Sequence, residues 1–139
     1  MSDIYRPIVA HLKKYQGTQT AYTLLGGRIY ADRAPDSAAM PYVVIGASGG
    51  SIDRMFGKDN CEQARVTIEV WDLYHGGNTT APQIWDSLVV LLEYATLPIM
   101  ENAIFIVMKR EGLPRRVVED TLIQISGDWI LAIQKRTGA

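Results

Sequence analysis

Apolar residues recur along this chain at two spacings, and the spacings divide it into helices and strands. Ile4, Ile8, Leu12 and Tyr15 follow at steps of four, four and three, which lines up one face of a helix. Ser2 is placed to cap that helix, Asp3 sits beside its positive end, and Pro7 is early enough to be tolerated. Gly17 closes it, and Thr20 to Leu25 has room for one more turn before Gly26 and Gly27 break the chain. A second helix begins at Thr79 or Thr80, with Pro82 in its first turn. Ile84, Leu88, Leu91, Leu92 and Ala95 form its apolar face, Gln83, Asp86, Ser87, Glu93 and Tyr94 its polar face, and Pro98 stops it.

The period-two segments read as strands. Arg28 to Tyr30 is a short one. Tyr42 to Ala47 is apolar on both faces, which predicts a central position in a sheet. In the strand Ala64 to Tyr74, Val66, Ile68 and Val70 point one way, and Arg65, Thr67, Glu69 and Trp71 point the other. Ile104 to Arg110 is a further strand. From about Thr121 to Lys135, Ile123, Ile125, Gly127, Trp129, Leu131 and Ile133 keep one phase, which favours a single long strand bulged at Gly127. A tight hairpin at Ser126-Gly127-Asp128 is the alternative. Between these segments, Ala31 to Pro41 reads as a loop stiffened by Pro35 and Pro41. Ser48 to Asn60 and Glu111 to Asp120 read as polar connections, and His75-Gly76-Gly77-Asn78 as a turn. The expected fold is α+β: a mainly antiparallel sheet of four to five strands with two helices packed on one face.

The 139 residues suit one domain, and a core of that size needs no staples. The single cysteine, Cys61, excludes an internal disulfide. A net charge of -1 gives no footprint of a nucleic-acid binder. The first residues, Met-Ser-Asp-Ile, show no basic-then-apolar signal pattern, and no apolar run nears the ~18 residues of a membrane span.

Catalytic chemistry needs convergent polar groups. His11, His75 and Cys61 stand apart in the sequence, and no spacing matches a metal site. His11 falls near the C-terminal end of the first helix, where a cation is favoured. The stretch "GASGGSIDRMFGKDN" fails as a phosphate loop. Position 52 is Ile where glycine is required, and Asp59 follows the Gly57-Lys58 pair. "GGR" at 26–28 lacks the third glycine of a dinucleotide fingerprint. We assign no catalytic residue, no cofactor and no metal. Trp71 is the informative side chain, because it lies on the polar phase of its strand. Either a neighbouring element of the fold covers it, or another subunit does, since Trp and Tyr are enriched at interfaces. Tyr74 and Tyr94 add weight to the second reading.

The stretch "GGRIYADRAPDSAAMPYVVIGASGG", followed by "ARVTIEVWD", resembles the tail-terminator or tail-completion proteins of long-tailed, non-contractile phages and prophages. These are also described as head–tail joining proteins. The shared pattern is a leading amphipathic helix, Gly-Arg-Ile-Tyr, an Asp-Arg-Ala-Pro turn, Pro-Tyr-Val-Val, a variable loop and the "RVTIEVWD" strand. Its identifiable residues lie between Gly27 and Asp72, while "SGDWILAIQ" is no signature of the family.

The resemblance implies a structural role without catalysis. Such proteins form a ring, usually hexameric, on the finished tail tube. The ring stops polymerisation and presents a surface to the head connector, and DNA passes through its lumen without sequence-specific binding. The partners implied are further copies of the chain, the tail tube protein and the head connector protein. The implied location is the virion tail, with assembly in the host cytoplasm. Under this reading, subunit contacts are expected at Arg28, Asp32, Arg33, Arg65, Glu69 and Trp71. A loop containing Asp53, Arg54, Phe56 and Lys58 is expected to touch tube or connector. Another connector or minor tail component is the nearest alternative. A small-ligand or enzymatic domain built on the 48–60 loop, with an abnormally reactive Cys61, is a more distant one.

Overall fold

The computed structural model describes residues 5–54, 59–74, 80–97 and 103–136, with backbone alone at 47–54, 59–62, 103–107 and 134–136. The elements run α1 (Tyr5–Lys13), α2 (Ala21–Leu24), β1 (Ile29–Ala31), β2 (Tyr42–Arg54), β3 (Asp59–Leu73), α3 (Ala81–Leu92), β4 (Ala95–Thr96), β5 (Ala103–Arg110), β6 (Arg115–Glu119) and β7 (Leu122–Arg136). The fold is α+β, as the spacing predicts, but the described residues form a sheet of seven strands rather than four or five. Its order is β1-β2-β3-β7-β5-β4, and β6 pairs with β7 alongside β5. The sheet is mixed: β1 lies parallel to β2, with Ile29 opposite Val43 and Ala31 opposite Ile45. Every other pair is antiparallel.

Two expected loops and the end of the second helix change character. β2 and β3 continue through most of the 48–60 segment as a long hairpin, in which Asp53 pairs with Cys61 and Arg54 with Asn60. The polar, glycine-rich composition hides this, because ladder hydrogen bonds join backbone groups and need no apolar side chain. β6 occupies Arg115–Glu119, where a loop was expected; all five residues are exposed, so no alternation betrays it. Ala95 and Thr96 leave the second helix to form β4 against β5.

β7 is one strand. It pairs with β3 without interruption from Leu73↔Leu122 to Asp59↔Arg136, so Gly127 marks neither a bulge nor a hairpin. The β2–β3 ladder does shift register, between Ala47 and Gly49.

The core lies between this sheet and the helices. Val66, Ile68 and Val70 of β3 and Ile123, Ile125, Trp129, Leu131 and Ile133 of β7 are buried together, as their phase predicts. α3 crosses β3, β5 and β7, and α1 and α2 pack on α3. Ile84, Leu88 and Leu92 of α3 meet Ile8 and Leu12 of α1 in the same core. Tyr15 is not part of that face: α1 ends at Lys13, and Tyr15 is exposed. Trp85, outside the expected apolar stripe, is buried against Trp129 with ring centroids 5.9 Å apart.

Polar anchors fix the helices. The Tyr5 hydroxyl donates to the Ile29 carbonyl at 2.6 Å, and the Ala21 amide donates to Ser87 Oγ at 2.8 Å. His11 is buried rather than presented as a surface cation, and its Nε2 donates to the Leu91 carbonyl at 2.8 Å. Asp72 ends the "RVTIEVWD" strand and is also buried. Its carboxylate accepts the Leu73 amide, the Thr80 amide and the Thr80 hydroxyl, at 2.8, 3.1 and 2.7 Å. Thr80 caps α3 through that carboxylate rather than through a cap bond of its own side chain.

Candidate assembly face

With α3 on one side of the sheet, the opposite side carries the alternate residues of β2, β3, β7 and β6. The cross-strand register sets Tyr42 opposite Trp71, Trp71 opposite Gln124, and Gln124 opposite Val117. Tyr30 of β1 meets Tyr42 edge to face at 5.8 Å, and Tyr42 stacks on Trp71 at 6.4 Å with 23° between the rings. These rings form an aromatic row running inward from the β1 edge. Tyr30, Tyr42 and Trp71 are all half-buried, so the row keeps open surface.

Polar bonds brace it. Gln124 Nε2 donates to Glu69 Oε2 at 2.8 Å, and Thr67 Oγ1 donates to Asp128 Oδ1 at 2.9 Å. The Tyr42 phenol is held above the ordinary tyrosine range, first by burial and then by the carboxylate of Glu69 and the neighbouring Tyr30. Beyond Trp71 a cleft of about 250 Å³ opens, lined by Trp71, Val117, Leu122 and Gln124 and bounded by the turn residues Glu119, Asp120 and Thr121. Asp120 takes a positive φ of 53° in the two-residue turn joining β6 to β7.

The expected contact residues divide between face and edge. Arg65, Glu69 and Trp71 share the outer face. Trp71 is half covered by its own chain through Tyr42, as the first alternative for it expects. Arg65 is exposed and reaches Glu111 at 3.3 Å. Arg28, Asp32 and Arg33 flank β1 at the sheet edge. Arg28 braces its own loop, its Nε donating to the Pro41 carbonyl at 2.9 Å. Asp32 turns the chain at φ 66°, its amide donating to the Ile45 carbonyl at 2.9 Å, and both Asp32 and Arg33 are exposed. Asp53 and Arg54 belong to β2 rather than to a loop, and Phe56 and Lys58 lie outside the described residues, as does His75.

Sequence reasoning misses Tyr42, Val117, Leu122 and Gln124 as members of this face. Tyr42 reads as the start of a strand buried on both sides, and Val117 lies in a segment taken for loop. No alternation could have found Val117, because β6 reads Arg-Arg-Val-Val-Glu and is exposed throughout. Among the described residues, no cluster of His, Cys, Asp and Glu could hold a metal ion, and no helix is long and apolar enough to cross a membrane.

No curated protein matches this chain. Among solved structures, a chain of the virion of a native gene transfer agent particle is similar in fold. It shares 17% identity and a TM-score of 0.72, over 94% of this chain and 94% of that one. The family of the tail completion protein gp17 matches residues 6–119, a span that includes the whole Gly27–Asp72 stretch on which the resemblance rests. By that match the chain belongs to the tail completion protein gp17 family, structural proteins of the phage tail.

Proposed function

We propose that this protein caps the phage tail tube, ends its polymerisation and forms the surface to which the head connector joins. The observation that carries the reading is family membership over residues 6–119. A head-to-tail ring, expected to be a hexamer, uses two unlike surfaces of each subunit. The fold offers two: the aromatic row around Trp71 on the open sheet face, and the β1 edge with Asp32 and Arg33. Asp53 and Arg54 at the end of β2, with Phe56 and Lys58 of the stretch that follows in sequence, are our choice for the contact to tube or connector. DNA crosses the lumen without base-specific contact, in keeping with a net charge of -1. Assembly takes place in the host cytoplasm, and the protein remains in the virion tail.

Electron microscopy of tails made with and without the gene tests this. Without the protein, tubes are expected to vary in length and to lack heads, and added purified protein is expected to appear as cap density at one tube end. Tubes of uniform length joined to heads in its absence would sink the reading.

A further inference from the structure

Among the described residues, β6 is bonded on one side only. Its five residues pair with β7, no strand among the described residues pairs with its other edge, and all five side chains are exposed. Val117 and Val118 are 50% and 44% exposed. An open edge rich in β-branched residues is a template for another strand, and proteins commonly guard such edges with charge. Charge of one sign would repel a second copy. Here the sign reverses along the strand, from Arg115-Arg116 at its start to Glu119 at its end and Asp120 beyond. Among the described residues, none of these four forms an ion pair within the chain.

Strand geometry selects one register. Val117 lies opposite Gln124, so 115, 117 and 119 share the outer face, and 116 and 118 share the helix-side face. Antiparallel partners must set residues of the same face opposite each other, so a two-fold axis passes through a single residue. Centred on Val117, the pairing uses all of β6. Arg115 then lies opposite Glu119 of the partner subunit, Val117 meets Val117 of the partner subunit, and Arg116 lies opposite Val118 of the partner subunit and diagonal to Asp120 of the partner subunit.

We propose that two copies of this chain associate edge to edge through β6, antiparallel about Val117, into one continuous sheet. The pairing is isologous and therefore differs from any ring contact. It does not rest on the tail reading. A contact this small is expected to be weak and dependent on concentration.

Sedimentation velocity across a concentration series tests it. The wild-type chain should show a monomer–dimer equilibrium. Arg115→Glu sets Glu opposite Glu, and Glu119→Arg sets Arg opposite Arg. Each variant alone should weaken self-association about ten-fold or more, because like charges directly opposite across strands repel. Mixed in equal amounts, the two should form a heterodimer, because every charged pair is then complementary. Unchanged circular dichroism and melting would show that both variants fold. A wild-type chain that stays monomeric, variants that associate like wild type, or a mixture that stays monomeric would each overturn the pairing. Any of these outcomes would leave the tail reading intact.

Discussion

Gly127 of β7 lies directly beneath the Trp85 ring of α3. A Cβ built at Gly127 would stand 2.7 Å from Cη2 and 3.0 Å from Cζ2 of that tryptophan. No real side chain occupies such space, so the missing side chain on the strand is what seats the indole against Trp129. The glycine looks like a strand defect in sequence and is a packing device in the fold.

Gly127→Ala is therefore expected to destabilise the monomer by about 1–3 kcal/mol through overpacking. Trp85→Leu should cost stability by itself but recover part of the loss in the double variant. Urea unfolding of all four proteins checks this as a double-mutant cycle. Simple additivity of the two changes would show that the contact does not couple them.

The Asp72 carboxylate ties the end of β3 to the start of α3 by accepting the Leu73 amide and the Thr80 amide and hydroxyl. Asp72→Ala leaves those donors without their acceptor and is expected to cost about 2–3 kcal/mol. Amide exchange should locate the loss in the first turn of α3, with Thr80 and the following residues exchanging faster. Uniform loss of protection along the chain would contradict a local anchoring role.

Trp71 stacks on Tyr42 but keeps open surface. Trp71→Ala should remove about 1 kcal/mol of monomer stability, the scale of one aromatic pair. Its larger effect is expected on oligomers, whose affinity should fall at least about ten-fold, as for a buried aromatic hot spot. Light scattering on rings or capped tubes reads the second effect, and thermal melting reads the first. A ring mass unchanged by the substitution would remove Trp71 from the subunit contact.

Tyr42 supplies a prediction in pH. Its phenol holds its proton more tightly in the folded chain than in the unfolded one, for the burial and charge reasons given above. The stability this contributes is fully present below the unfolded tyrosine value near 10, and it is lost as pH rises through the higher folded value. Wild type should therefore lose more stability than Tyr42→Phe between neutral pH and that alkaline range. Denaturant midpoints measured for both proteins on either side of about pH 10 check this. Parallel losses in the two would show that other groups carry the alkaline transition.

How much of this protein is legible in its sequence follows from where side chains report their surroundings. The phase of Ile123, Ile125, Trp129, Leu131 and Ile133 marks a long strand with one buried side, and the fold agrees. The steps joining Ile84, Leu88 and Leu92 mark a helix face, and the Gly-Arg-Ile-Tyr to Val-Trp-Asp stretch marks the family. Where backbone pairing does the organising, the side chains are silent. β2 and β3 extend beyond Ala47 and Ala64 through polar residues because the long β7 ladder supplies partners, and β6 forms with no buried residue at all.

The candidate face was half legible for the same reason. Trp71 stands out because a large aromatic on a polar phase conflicts with its local pattern. Its neighbours Tyr42, Gln124 and Val117 come from strands far apart in the chain, and only the cross-strand register sets them in one row. The sequence by itself determined the class of fold, the two main amphipathic helices and the buried phases of β3 and β7, because periodic burial is written in residue order. The tertiary structure alone decided the parallel β1, the open β6 edge and the site of the Gly127–Trp85 contact, because each depends on which distant backbone lies alongside.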